Sequence, residues 1–198
     1  MINCILAGVG GQGTVLASKL IAQTAMNRGI KARTAETIGM AQRGGSVVSH
    51  VRLGKDVHSP LIPLKSADVI IGFEPAEAVR CLSYLKTKGT VIVSQKAIKP
   101  VTASLSDTDY DGNEMLEYLR SQVSSLITVD GERICAQCGS SKVLNTALLG
   151  AAISAHALGI SLEEMERTIK EKLPSKLVAM NLQALYTGAQ GTSKENLQ

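Results

Sequence analysis

The sequence predicts an α/β protein: a three-layer, doubly wound, mostly parallel sheet with further helices toward the C-terminus. Three observations carry that expectation. The chain opens on an apolar run, Ile2, Cys4, Ile5, Leu6 and Ala7, which empties into Gly8-Val9-Gly10-Gly11-Gln12-Gly13 and then into an apolar helical stretch from Val15 to Ala22. Buried strand, glycine-rich turn and helix, in that order, form the opening unit of a Rossmann-like sheet. Strand runs recur at Ala67 to Phe73, Thr90 to Ser94 and Leu126 to Val129, with helical patterns between them. Their apolar residues are continuous rather than alternating, as strands covered on both faces require. The composition agrees, since 44% of residues are hydrophobic with no Trp and one Phe, which leaves an aliphatic core.

A length of 198 residues suits one domain. It is assigned to residues 1–187, with the helices of about 142–187 packed on the sheet and a polar, frayed tail over 188–198. Gly29 ends the first helix, and a short strand of mixed polarity spans Ile30 to Thr37. An alternating stretch, Val47 to Gly54, reads as the arm of a hairpin. Glu74-Pro75 opens a helix over Ala76 to Leu85. The polar run Lys99 to Asn113 is a surface connection. A helix follows over Glu114 to Ser121, and a long one over Lys142 to Leu158 places Asn145 on an apolar face, where a buried amide demands hydrogen-bond partners. Ser161 with Glu164 forms a capping box for a helix to Leu173, and Pro174 breaks the chain before a last helix, Ser175 to Tyr186.

Two stretches are candidates for binding. In the first, Gly8 makes the tight turn, Gly10 lets a ligand approach the backbone, and Gly13 lets the helix pack close to the strand. Gly11, Gln12 and Thr14 complete this loop, and the free N–H groups at the helix start favour a phosphate or a carboxylate. The second is Gly39-Met40-Ala41-Gln42-Arg43-Gly44-Gly45-Ser46, where Arg43, Gly44, Gly45 and Ser46 offer guanidinium and backbone donors for an anion. Its plainer reading is a turn with a solvated Arg. Glu36 stands about where the ribose-binding carboxylate of a dinucleotide site falls, some 20 residues past the glycines. Glu74 sits on the ligand side of the sheet and serves equally well as a helix start. His50 and His58 read as packing or surface histidines, and no residue is assigned as a catalytic acid or base.

Composition excludes several classes. The net charge of +4 comes from scattered Lys and Arg with few aromatic residues, which argues against nucleic acid. No apolar stretch reaches the roughly 18 residues of a membrane span. The first strand follows the start without a basic leader, so a cytoplasmic protein is expected. Cys135-Ala136-Gln137-Cys138 has the spacing of half a zinc site, part of an Fe–S cluster or a redox pair. Cys4 falls in a strand and Cys81 in a helix, so no metal site is assigned; two reduced thiols at a turn before a helix is the plainer reading.

With these residues laid out, the chain resembles the gamma-type subunit of the 2-oxoacid:ferredoxin oxidoreductases, and within that group the small, beta subunit of indolepyruvate:ferredoxin oxidoreductase. The likeness rests on Gly8-Val9-Gly10-Gly11-Gln12-Gly13, on Gly39 to Arg52 with its GMAQRGG core, on the Ala67-Asp68 strand and on the Asn145 helix, and it covers nearly the whole chain. It implies a subunit rather than a complete enzyme, taking part in coenzyme A-dependent oxidative decarboxylation of a 2-oxoacid. Thiamine diphosphate, Mg²⁺ and [4Fe–4S] clusters would sit on a larger alpha subunit that passes electrons to ferredoxin. This chain has neither a GDG…N motif nor a CxxCxxCxxxCP run. The glycine and Arg43 loops would then shape the pocket for the 2-oxoacid or for coenzyme A, a co-substrate, and no cofactor would be held tightly by this chain alone. A pyruvate or branched-chain 2-oxoacid subunit and a free-standing NAD(P)-binding oxidoreductase are the alternative readings.

Overall fold

The computed structural model describes residues 1–38, 45–98, 110–191 and 193–196. Its strands are β1 (Ile2–Val9), β2 (Ala32–Ile38), β3 (Ser46–Leu53), β4 (Ala67–Gly72), β5 (Leu85–Ser94), β6 (Ser125–Val129) and β7 (Ser193–Asn196). They form one seven-stranded sheet in the order β2-β3-β1-β4-β5-β6-β7. β1, β4, β5 and β6 are parallel neighbours, with Cys4 opposite Val69 and Val91 opposite Leu126. β3 lies antiparallel between β1 and β2, from Ile2 opposite Leu53 to Val9 opposite Ser46. β2 therefore runs with β1, and only β3 and β7 oppose the others.

Strand alternation sends neighbouring residues to opposite faces. Cys4, Leu6, Val69, Ile71, Ile92 and Ile127 pack under α1 (Thr14–Asn27), α4 (Gly131–Gln137), α5 (Leu144–Ser154), α6 (Leu162–Lys172) and α7 (Ser175–Gln190). Ile5, Ala7, Ile70, Val91, Val93 and Leu126 pack under α2 (Pro75–Arg80) and α3 (Asn113–Gln122). That is the expected three-layer arrangement.

Several boundaries differ from expectation. The stretch after Glu74 is helical only to Arg80 and then tightens into a 3-10 turn, Leu82–Tyr84, so β5 starts at Leu85 rather than Thr90. Cys135 lies inside α4 and Cys138 at its C-cap, not on a turn preceding a helix. The long helix begins with a 3-10 turn, Ser141–Val143, and stops at Ser154, shortly before His156 takes a φ of 57°. The capping box of Ser161 and Glu164 is formed. α7 continues to Gln190, and the expected frayed tail instead supplies β7, which pairs antiparallel with β6 from Ser125 opposite Asn196. Backbone groups along an otherwise unpaired sheet edge make that pairing favourable whatever the side-chain polarity.

α5 is buried on all sides and is the pillar of its layer. It crosses α7 at two glycines: a Cβ on Gly188 would sit 2.0 Å from the Ala147 carbonyl oxygen, and one on Gly150 would sit 1.9 Å from that of Leu185. Because both obstacles are backbone, Gly188→Ala is expected to destabilise the fold by about 3 kcal/mol, read as a lowered denaturant midpoint; an unchanged midpoint would show that the helices separate freely.

Candidate functional site

A cavity of about 640 Å³ opens where the C-terminal ends of β1, β5 and β6 meet, the place where open α/β sheets take ligands. Gly10, Gly11 and Gln12 wall one side, Lys96 another, and Glu132, Cys135 and Ser141 close it.

The glycine turn is organised by a side chain. Gln12 folds back so that its Oε1 accepts from the Val9 N–H at 2.8 Å, while its Nε2 donates to the Phe73 carbonyl at 2.9 Å. Gly8 makes room for this: a Cβ there would lie 2.7 Å from Gln12 Oε1 and 2.9 Å from Phe73 Cβ. The left-handed positions are Gly11, φ 100°, and Gly13, φ 83°, so Gly8 serves close packing rather than the turn itself. Gly13 faces Asn145 rather than a strand, because its missing Cβ would meet Asn145 Nδ2 at 2.8 Å. Thr14 is buried as the first residue of α1.

Of the second motif, Arg43 and Gly44 lie outside the described residues, as do residues 39–42. Its end is fixed at two points. The Gly10 N–H donates to the Gly45 carbonyl at 2.9 Å, joining the two motifs directly. Ser46 Oγ donates to Glu77 Oε2 at 2.5 Å. Glu77 is buried, with Arg80 3.4 Å from its other oxygen. Glu74, also buried, caps α2 by accepting from the Glu77 N–H at 3.1 Å and takes a hydrogen bond from the Tyr110 hydroxyl at 2.5 Å. Burial and that carboxylate hold the Tyr110 phenol above its usual range. Glu74 thus serves as a helix start, anchored on the ligand side of the sheet.

Other candidates resolve as structural groups. Glu36 accepts from Ser18 Oγ at 3.1 Å, tying β2 to α1, and does not line the cavity. His50 is buried; its Nδ1 accepts from the Ile62 N–H at 3.2 Å, and its ring meets Tyr84 edge-on at 5.4 Å. Burial pushes the thiols of Cys135 and Cys138 up, raises Cys4 further and lifts Cys81 to about 11, so each stays a neutral thiol near pH 7. Among the described residues no three His, Cys, Asp or Glu side chains converge on a point, so the Cys pair lacks further ligands for a metal. Nor, among these residues, is any helix long and apolar enough to cross a membrane.

Sequence reasoning missed Lys96, Glu77 and Tyr110. Lys96 lies just past a strand end, where any basic residue of a doubly wound sheet merits scrutiny. Glu77 follows Glu74 at the spacing of a first helical turn. Tyr110 carries no local signal.

Residues 3–191 match the protein family described as pyruvate ferredoxin/flavodoxin oxidoreductase. The chain belongs to that family. As a member of the pyruvate ferredoxin/flavodoxin oxidoreductase family it is an oxidoreductase component, and similar proteins span its whole length. The indolepyruvate oxidoreductase subunit IorB of Archaeoglobus fulgidus is 39% identical over 94% of this chain and 93% of its own. The IorB subunit of Pyrococcus horikoshii is 33% identical over 97% of this chain and 96% of its own. The pyruvate oxidoreductase subunit PORC of Thermotoga maritima shares the fold, with a TM-score of 0.70 at 22% identity and 98% of each chain covered. So does part of the 2-oxoglutarate:ferredoxin oxidoreductase of Magnetococcus marinus, solved with 2-oxoglutarate, coenzyme A and succinyl-CoA bound: the TM-score is 0.72 at 19% identity, over 98% of this chain and 32% of that one.

The buried state of His50 has a measurable consequence. Its folded pKa is depressed, so the folded state binds this proton less readily than the unfolded chain; the corresponding stability is present above the unfolded value of about 6.5 and is lost as pH falls below it. Urea midpoints measured from pH 7.5 down to 5 are expected to fall less steeply in His50→Asn, which keeps an acceptor without the titration, than in the unaltered protein; parallel declines would show that His50 protonates freely in the fold.

Proposed function

We propose that this chain is the small subunit of a 2-oxoacid:ferredoxin oxidoreductase acting on indolepyruvate or a related aryl pyruvate, and that it works within a hetero-oligomer. The observation that carries this reading is the likeness to indolepyruvate oxidoreductase subunits along essentially the full chain. In the overall reaction a 2-oxoacid and coenzyme A yield acyl-coenzyme A and CO₂, with two electrons passed to ferredoxin and a proton released.

The residues of this chain do not fit the redox groups of that chemistry. A cubane cluster takes four thiolates. Here Cys135 and Cys138 stand together, while Cys4 is buried in β1 and Cys81 behind α2. The thiamine diphosphate, its Mg²⁺ and the clusters are therefore assigned to a larger partner subunit, which also delivers electrons to ferredoxin.

What this chain offers is anion binding. Keto-acid carboxylates and coenzyme A phosphates are negatively charged, and the glycine turn carries backbone donors at a helix start beside a cavity that also contains Lys96. Arg43, two positions before Gly45 in the sequence, is the guanidinium proposed to act with this turn, which the Gly10 N–H ties to the Gly45 carbonyl. The subunit binds and orients the anionic groups while the cofactor on the partner carries the covalent chemistry.

Arg43→Ala in the assembled enzyme is expected to raise the KM for coenzyme A or the 2-oxoacid by about tenfold or more, with subunit composition unchanged. Unaltered steady-state kinetics would remove the loop from the substrate pocket.

A further inference from the structure

The far end of the sheet, where β4, β5 and β6 begin, carries a second cavity that shares no lining residue with the one at the glycine turn. It holds about 570 Å³ between the 3-10 turn Leu82–Tyr84, the start of β5 and the end of α3. That volume falls within the range of small-ligand sites. Lys65, Lys86 and Lys88 line it together with Tyr118, Gln122 and Ser124, and no carboxylate does.

The backbone is shaped to present these lysines. From Ala67 to Val69 β4 advances two residues while β5 advances five, from Leu85 to Thr90, so Lys86, Thr87 and Lys88 bulge out of the ladder and are exposed. Gly89 closes the bulge: a Cβ there would lie 2.5 Å from Leu85 Cδ1 and 3.1 Å from the Ala67 carbonyl oxygen. Lys88 has a φ of 76° and Lys65 a φ of 57°, the left-handed region where a Cβ crowds the following carbonyl. Glycine would take either position without that strain, so what lysine adds there is its side chain. The Lys65 N–H also donates to the Ser83 carbonyl at 3.0 Å, which holds its loop against the 3-10 turn.

The charges around the cavity do not cancel. Lys86 is paired with Asp68, whose other oxygen accepts from the Asn3 N–H at 2.7 Å. Lys65 and Lys88 make no ion pair or side-chain hydrogen bond among the described residues. Glu117 on α3 is taken by Arg120, and the carboxyl end of α3 contributes about half a negative charge. Three ammoniums against Asp68 and that dipole leave the cavity positive.

We infer that Lys65, Lys86 and Lys88 form a binding site for a small polyanion, a polyphosphate or a polycarboxylate, at the end of the sheet opposite the candidate substrate cavity. An anion with two or more charged groups engages both unpaired ammoniums at once, which a monoanion does not. Ammoniums on flexible stems read charge rather than planar geometry, so phosphate and carboxylate groups suit the site alike. The site does not rest on the proposed function.

The full chain is treated with limiting N-hydroxysuccinimide acetate at constant ionic strength, and acetylation of each lysine is followed by mass spectrometry against tripolyphosphate, citrate or acetate. Tripolyphosphate or citrate is expected to protect Lys65 and Lys88, with Lys19 and Lys176, exposed on α1 and α7, unchanged. Half-protection, read at the remaining lysine, is expected to need about tenfold more of the protecting anion in Lys65→Gln and in Lys88→Gly. Lys88→Gly is also expected to keep or raise the denaturant midpoint, because glycine suits that φ, so its loss of protection is not a loss of folding. Protection by tripolyphosphate alone identifies the ligand as a phosphate compound, and by citrate alone as a carboxylate; either supports the site. Equal slowing at Lys19 and Lys176, protection by acetate as strong as by the polyanions, protection unchanged in both variants, or no protection at all overturns it. Indolepyruvate turnover plays no part in these readings, so their failure leaves the proposed function standing.

Discussion

The Gln12 carboxamide bridges the Val9 amide and the Phe73 carbonyl, and that bridge ties the ends of β1 and β4 together where the glycine turn begins. Everything at the ligand edge is placed from it. With Gln12 folded across Gly8, Gly10 and Gly11 form part of the cavity wall, and α1 then begins with no side-chain cap among the described residues. The Gly10 amide extends the same scaffold to Gly45, so the second motif ends at a fixed point. Neutral bonds of this kind are each worth about 1 kcal/mol net, but they are shared by two strands and two loops, so their positional effect exceeds their energy.

A second support lies behind α2. Two carboxylates, Glu74 and Glu77, are buried within one helical turn, which is costly unless each is hydrogen-bonded. Tyr110 and the Glu77 N–H bond Glu74, Ser46 bonds Glu77, and Arg80 adds an ion pair to Glu77. Ser46 belongs to the end of the GMAQRGG stretch and Tyr110 to the segment before α3, so the burial of two acids pins two connections to the same helix.

The layers of the fold were legible because they follow from hydrophobic periodicity alone: Val69 to Ile71 and Val91 to Val93 are buried on both faces, as their unbroken apolar runs imply. The capping box at Ser161 and Glu164 was legible for the same reason, since cap chemistry is local. The place of β3 between β1 and β2 was not, because alternation shows that a strand is half-polar but not which neighbour it pairs with. β7 was hidden by its polar sequence, Ser193-Lys194-Glu195-Asn196, whose pairing depends on the open edge of β6. At the candidate site the glycines and Asn145 could be picked out in sequence. Their contacts could not: Gly13 is small on account of a side chain about 130 positions away, and Lys96 reaches the cavity only through the parallel packing of β5 between β4 and β6.

The proposed place of this chain beside a larger, cofactor-carrying subunit is tested most directly by anaerobic native purification. Co-purifying chains are identified by mass spectrometry, and the same fraction is assayed for indolepyruvate- and coenzyme A-dependent reduction of a dye. The account predicts an active fraction containing a larger thiamine diphosphate and Fe–S protein in constant ratio with this chain. A lone 20.9 kDa species that binds NAD(P) and shows no such activity would contradict it.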